Sequence, residues 1–370
     1  MQLGPMGKVR VQPALPERYT TATPEELAAW IGSAKDTLGR RLMVLGHHYQ
    51  RDEVMRWADH RGDSYGLSRL AAASDAEYIV FCGVHFMAES ADILTTDTQQ
   101  VVLPDLNAGC SMADMASIDD VEVAEEELAA VTDVERLLPI TYMNSSAALK
   151  AFVGRHGGAV CTSSNARAVV SWALERADKL LFFPDQHLGR NTAFQLGFGE
   201  ADLAVWDPRH DLGGLQERDV KAASFLLWKG HCSVHQRFTV EQAAAFRAAH
   251  PEGIVVVHPE CAREVVAVAD QVGSTDFIIR AVGAAAPGSV LGIGTEIHLV
   301  QRLAAEHPDR TVVSLDPIVC PCSTMFRIDA AHLAWCLENL VEGNVVNRIT
   351  VDDETARWAR VALERMLEIV

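Results

Sequence analysis

The chain has 370 residues, 49% of them hydrophobic and 22% charged, enough for two or three domains with substantial cores. Its formal net charge of −18 excludes a general nucleic-acid binder, because contacting a phosphate backbone takes a basic surface. No apolar run is long enough for a membrane span, and the opening MQLGPMGKVRVQPALPERYT lacks the apolar segment of a secretory leader. A cytoplasmic protein with reduced cysteines is therefore expected.

Residues 1–25 read as a tail, and from there short apolar runs alternate with Ala- and Leu-rich helical stretches, the pattern of an α/β chain with parallel sheets. The strands come in three sets. The first, within 26–120, holds RLMVLGHHY, AEYIVFCGVHF and TQQVVLPDLNAGC. The second, within 121–238, holds LLPITYMNSS, GGAVCTSSNA, KLLFFPDQHLG and ADLAVW. The third, within 239–325, holds GIVVVHPEC, DQVGST, SVLGIGTEIHL and RTVVSLDPIVC. Residues 326–370 are helical in pattern and are expected to pack across the repeats.

Each set opens with an apolar strand that runs into polar groups: His47-His48-Tyr49, Tyr142-Met143-Asn144 and His258-Pro259-Glu260. Each closes on a cysteine: Cys110, then Cys232, then Cys320 or Cys322. Three α/β/α repeats of roughly 90 to 120 residues follow, within the usual domain size. Since ligands gather beyond the carboxyl ends of parallel strands, three such repeats facing a shared centre would bring the polar clusters into one cavity.

The residue types at those ends suit acid–base and anion chemistry. His47, Tyr49, His258 and Glu260 span the useful range of proton affinities. Ser64, Ser163, Ser274 and Thr275 open helices, where free N–H groups and the dipole attract carboxylate or phosphate, although the same residues serve everywhere as ordinary caps. Among the eight cysteines there is no C-x-x-C pair, which argues against a zinc ribbon or a thioredoxin-type site. Three thiolates from distant positions suit an iron–sulfur cluster with one iron free of protein ligands, whereas zinc held by three cysteines, or by two cysteines with His231 or His235, is the competing arrangement. An electron carrier would ordinarily fill every iron position with cysteine. The stretch GIGTE at 292–296 has too few glycines for a dinucleotide fingerprint.

Taken together, GHHYQ, GDSYGLS, NAGCSMADM, TYMNSS, CTSSNA, GHCSVH, HPEC, VGST and CSTM, in this order between residues 46 and 325, resemble the quinolinate synthase family of NAD biosynthesis. The resemblance implies three pseudo-threefold-related α/β/α domains around a central active site. It implies condensation of iminoaspartate with dihydroxyacetone phosphate to quinolinate, with a possible functional link to the enzyme that supplies iminoaspartate. It implies one 4Fe-4S cluster held by Cys110, Cys232 and one cysteine of the C-P-C element, with the fourth iron open to substrate or water. The family's third ligand stands in a C-x-x-M context, which Cys322 matches and Cys320 does not. Members with C-x-x-C-x-x-C spacing differ here, so a redox switch is not carried over, and Cys320 and Cys261 stand as candidate secondary thiols of unassigned role. The implied substrate-binding residues are His47, Ser64, Tyr142, Asn144, Ser163, His258, Glu260 and Thr275, with Tyr49, His258 and Glu260 as proton carriers. Neither a nucleic-acid nor a membrane partner is expected.

Overall fold

A computed structural model describes residues 12–318 and 321–369, so Cys320 lies outside the described residues. The chain is α/β, with three mostly parallel sheets flanked by helices. The first sheet contains Leu42–His47 (β1), His60–Gly62 (β2), Tyr78–Cys82 (β3) and Gln100–Val102 (β4). The second contains Leu137–Tyr142 (β5), Ala159–Cys161 (β6), Lys179–Phe183 (β7), Leu203–Trp206 (β8) and Phe225–Trp228 (β9). The third contains Ile254–Val257 (β10), Gln271–Val272 (β11), Val290–Gly294 (β12) and Thr311–Ser314 (β13). A last strand, Arg348–Ile349 (β14), adds to the edge of the first sheet antiparallel to β4.

The strand orders explain the threefold pattern of the sequence. The sheets read β2-β1-β3-β4-β14, β6-β5-β7-β9-β8 and β11-β10-β12-β13. Each therefore has a four-strand parallel core in the order second, first, third, fourth, with β8 and β14 as additions at an edge. Strands β2 and β9 were not among those expected. The first is a three-residue edge strand of polar composition, HRG, and the second, FLLW, is too short to show a period. Central strands such as β3, β7 and β9 are buried throughout, as sheets covered on both faces require.

Two compact units result. One takes in the chain up to Gly62, Gly66–Gly109 and Ser323–Thr350, and so holds the first sheet. Within it the helix Pro24–Leu38 starts from a capping box: the Thr23 hydroxyl accepts the Glu26 amide at 3.2 Å and Glu26 Oε2 accepts the Thr23 amide at 2.8 Å. It buries Leu27, Ile31, Ala34 and Leu38, one helical face, and packs along the helix Ala330–Val341. The stretch expected as a tail also contributes, because Tyr19 buries its ring edge-on to Trp30 with centroids 5.8 Å apart, and Arg18 bonds Glu338 at 2.7 Å.

The other unit takes in Asp63–Tyr65, Cys110–Cys322 and the chain from Val351 on, and holds the second and third sheets. Its closing helix Asp353–Glu368 lies against Ala147–Arg155 so tightly that a Cβ on Gly154 would stand 2.0 Å from the Trp358 carbonyl oxygen. The expected C-terminal segment is thus two helices and a strand: one helix and the strand belong to the first unit and the other helix to the second. Among the described residues, no helix is long and apolar enough to cross a membrane.

Candidate active site

The shared strand order makes the loops comparable from sheet to sheet. After each fourth strand the chain makes a loop that carries a cysteine: β4 leads to Cys110, β9 to Cys232 and β13 to Cys322. In every case a single 3-10 turn starts three residues past the thiol, at Ala113–Met115, His235–Arg237 and Met325–Arg327. The start of the helix after the third strand holds each loop. The His85 amide donates to Ala108 O at 2.9 Å, and the Gln186 amide donates to Gly230 O at 3.0 Å. In the third repeat the Cys322 amide donates to Glu296 Oε1 at 3.2 Å. Glu296 also caps its helix, accepting the His298 amide at 2.8 Å.

Cys110, Cys232 and Cys322 are half-buried, unlike Cys82, Cys161, Cys261 and Cys336, which are fully inside. Desolvation pushes the Cys110 thiol up to about 12, with the charges of Cys322 and Glu260 adding and the Ala113 amide opposing. Cys232 is likewise raised well above its ordinary value, by desolvation, then Glu260, then Cys110 and Cys322. These sulfurs are close enough that charge on one disfavours charge on the next. A set of mutually repelling thiolates becomes favourable only around a positive centre, so the donor set fits a cationic iron–sulfur group.

Beside Cys232 lies a buried polar network. Glu260, 3% exposed, accepts the Tyr142 hydroxyl at 2.6 Å on Oε1 and His235 Nδ1 at 2.7 Å on Oε2. His235 Nε2 meets Thr295 Oγ1 at 3.1 Å, and its ring stacks on His258 with centroids 4.4 Å apart and planes at 17°. Burial opposes ionisation of Glu260, yet the adjacent imidazoles and the two side-chain hydrogen bonds hold its carboxyl below the ordinary carboxylate range. His258 is pushed down to about 3, by burial first and by His235 second, against the pull of Glu260. Its Nδ1 accepts the Glu260 amide at 3.3 Å, so the neutral ring carries its proton on Nε2.

Other expected residues are placed as follows. His47 ends β1 at 5% exposure, and its Nδ1 accepts the Tyr49 amide at 3.2 Å, with the two rings edge to face at 4.9 Å. Asn144 follows β5 and is half-buried, and Ser64 begins the helix Ser64–Ala72. Ser163, with Ser274, Arg167, Arg280 and Pro259, lines a cavity of about 280 Å³. Thr275 is buried at the first position of Thr275–Ala284, which Ser274 caps by accepting the Phe277 amide at 3.4 Å. Cys261, a candidate secondary thiol, is buried, and its thiol contacts Gly294 O at 3.7 Å.

Residues at the site that sequence reasoning missed lie after the third strands. Asp185 is fully buried; its Oδ1 accepts the His187 and Leu188 amides at 2.7 and 3.0 Å, and its Oδ2 has no hydrogen-bond partner among the described residues. Burial, and then the charge of Glu260, raise its carboxyl well above the ordinary value. From the same helix, Asn191 Nδ2 donates to Pro259 O at 2.8 Å and Cys261 O at 2.9 Å, clamping the chain on both sides of Glu260. Thr295 was passed over as part of GIGTE, and His235 was weighed only as a zinc ligand. Cys232, His235 and Glu260 do offer donor atoms within 4.8 Å of one another, but both ring nitrogens of His235 are already hydrogen-bonded.

A family model described as "NadA: Quinolinate synthetase A protein" matches residues 30–368. A quinolinate synthase of Corynebacterium glutamicum is 58% identical over 360 residues, covering 97% of this chain and 91% of that one. One from Geobacillus thermodenitrificans is 55% identical, covering 96% of each chain. One from Bacillus cereus is 51% identical, covering 97% of this chain and 98% of the relative.

Proposed function

The chain belongs to the quinolinate synthetase A family and carries its activity, the making of quinolinate for NAD; on that premise we propose how its residues divide the work. The substrates in this reading are iminoaspartate and dihydroxyacetone phosphate, which give quinolinate, phosphate and two waters. Cys110, Cys232 and Cys322 would hold a 4Fe-4S cluster, which supplies a Lewis-acidic iron for the loss of water. The observation that carries this reading is the recurring cysteine loop: in all three repeats the 3-10 turn begins three residues past the proposed ligand. Cys320 stands two residues too early for that pattern.

The substrates bring two carboxylates and a phosphate. Ser64 and Thr275 begin helices, where backbone N–H groups and hydroxyls receive such anions, whereas Ser163, expected to open a helix, lies in the turn before Ala166–Leu174, whose N-cap is Asn165, and offers its hydroxyl from there. His47 ends the first strand of its sheet, Asn144 follows that of the next, and both add further donors. His258, neutral with its proton on Nε2, donates a hydrogen bond without adding a charge. Glu260 already accepts two hydrogen bonds, so it takes a proton through Tyr142: Oη releases its hydrogen to Oε1 as Oη accepts one from substrate. Tyr49, beside His47, serves as the second proton carrier. The protein acts in the cytoplasm in this reading, on small molecules alone.

Protein purified without oxygen should contain iron and sulfide near about four each per chain and form quinolinate from the two substrates. An intact cluster with no quinolinate would overturn the proposal. Zinc in place of iron would favour the Cys232–His235–Glu260 arrangement instead. Cys322→Ser should lose the iron and Cys320→Ser should keep it; full iron retention in Cys322→Ser refutes the ligand assignment.

A further inference from the structure

Arginines line several cavities of this chain, and elsewhere a carboxylate comes with them. Arg190 shares a cavity of about 390 Å³ with Glu200, to which it is ion-paired. Arg237 bonds Asp316 at 2.9 Å beside a smaller cavity, and Arg51 lies in another with Glu53 3.8 Å away. The cavity that Ser163 lines is different. With a volume of about 280 Å³, it has Arg167 and Arg280 in its wall and, among the described residues, no aspartate or glutamate. The chain carries 50 Asp and Glu against 32 Lys and Arg, so two arginines with no acid beside them run against its composition.

A solitary surface arginine needs only water. These two are exposed, make no hydrogen bond or ion pair among the described residues, and come from different helices. Arg167 is the second residue of Ala166–Leu174, and Arg280 is the sixth of Thr275–Ala284. Phe277, three residues before Arg280 on the same helical face, also lines the cavity, so that face is turned toward it. The side chains of Ser163, Ser164 and Gln195 line it as well and make no hydrogen bond among the described residues. Two guanidinium groups, two hydroxyls and an amide therefore surround one concavity with their donors unengaged by protein. A guanidinium fork matches the paired oxygens of phosphate and carboxylate, and uncancelled positive charge in a concave site concentrates anions there. Pro259 completes part of the wall, so the cavity borders the chain between His258 and Glu260.

We propose that this cavity is an outer site for a small dianion, a phosphate ester or a dicarboxylate, held between Arg167 and Arg280. The identity of the ligand class rests on the quinolinate reading given above, whose two substrates are both small dianions. The site has a clear use in this chain. A net charge of −18 repels such substrates from the surface as a whole, and a local positive field at the edge of the site counters that repulsion.

The test uses anaerobically prepared holoprotein, titrated by calorimetry with inorganic phosphate and separately with succinate. The buffer is kept at low ionic strength, because salt screens exposed guanidinium groups. Saturating quinolinate is present throughout, so the substrate site of the functional reading is already filled. Wild type should bind about one equivalent of at least one probe, with Kd on the order of 1 mM or tighter, and the tighter probe tells phosphate from dicarboxylate. Arg167→Gln and Arg280→Gln should each weaken that binding about tenfold, with iron and sulfide at wild-type levels. Arg218→Gln, which alters an exposed arginine outside this cavity, should change it less than about twofold. Failure of wild type to bind either probe overturns the proposal, as does unchanged affinity in Arg167→Gln or Arg280→Gln. An equal loss in Arg218→Gln also overturns it, since bulk charge would then be the cause. If wild type does not bind quinolinate, the functional reading fails by itself; probe binding that is lost with the two arginines would still leave the anion site standing.

Discussion

Asn191 offers a direct measure of what holds the loop that carries Glu260. Its Nδ2 supplies the one hydrogen bond found among the described residues to each of two buried carbonyls, Pro259 O at 2.8 Å and Cys261 O at 2.9 Å. Asn191→Ala leaves both acceptors unsatisfied, at a cost of about 1–3 kcal/mol each. Part of this is offset, because Asn191 Oδ1 is itself buried without a hydrogen-bond partner among the described residues and disappears with the side chain. The net loss comes to about 3 kcal/mol, which for a chain of this size lowers the unfolding midpoint by roughly 4 °C. Asn191→Asp keeps the volume but turns a carboxyl oxygen toward two carbonyl oxygens, so it should be less stable than the alanine variant. Anaerobic differential scanning calorimetry on both variants checks the order. An Asn191→Ala midpoint within about 1 °C of wild type, or an aspartate variant more stable than alanine, would refute the reasoning.

Two further outcomes follow from local geometry. Gly154→Ala places a Cβ 2.0 Å from the Trp358 carbonyl oxygen and must push the closing helix away, at about 2–3 kcal/mol, readable as a lower denaturation midpoint. His187, its ring nitrogens buried without hydrogen-bond partners among the described residues, is pushed down to about 4, by burial first and by the positive charges of His231 and Arg190 next. Between the unfolded value near 6.5 and that value the unfolded chain binds the extra proton, so stability is lost as pH falls through this window. His187→Leu should therefore gain on wild type by about 2 kcal/mol from pH 6.5 to 4, after allowance for solvent screening; a difference that does not change with pH would contradict the assignment.

Much of the candidate site was legible because parallel α/β sheets place ligand-binding groups where apolar runs stop. The ends of β1, β5 and β10 were marked by HHY, YMN and HPE, and Cys110 and Cys232 by a glycine one and two residues before them. Cys322 could be preferred over Cys320 through the methionine three residues on, and Met325 is the residue that opens the 3-10 turn. Strand β9 and the edge strand β2 were not legible, since four or three residues carry no usable period. The motif pattern also marked three repeats, whereas backbone contacts group the second and third sheets in one compact unit. That grouping depends on which faces meet, and no local stretch encodes it.

What the sequence determined by itself is the chemistry available at each strand end: imidazoles, a phenol, a carboxylate, hydroxyls at helix starts, and thiols in equivalent loops. It did so because period and punctuation are local properties of the chain. Only the tertiary structure decided which of these groups touch. His235 was one more histidine in GHCSVH until folding placed Glu260 on one nitrogen and Thr295 on the other, from positions 25 and 60 residues further along. Asn191 and Asp185 had no signal at all, since an amide or a carboxyl on a helix is ordinary until the chain it clamps, or the charge it faces, arrives from elsewhere. A hydrogen bond is decided by a few tenths of an ångström, and that separation is fixed only when the sheets have packed.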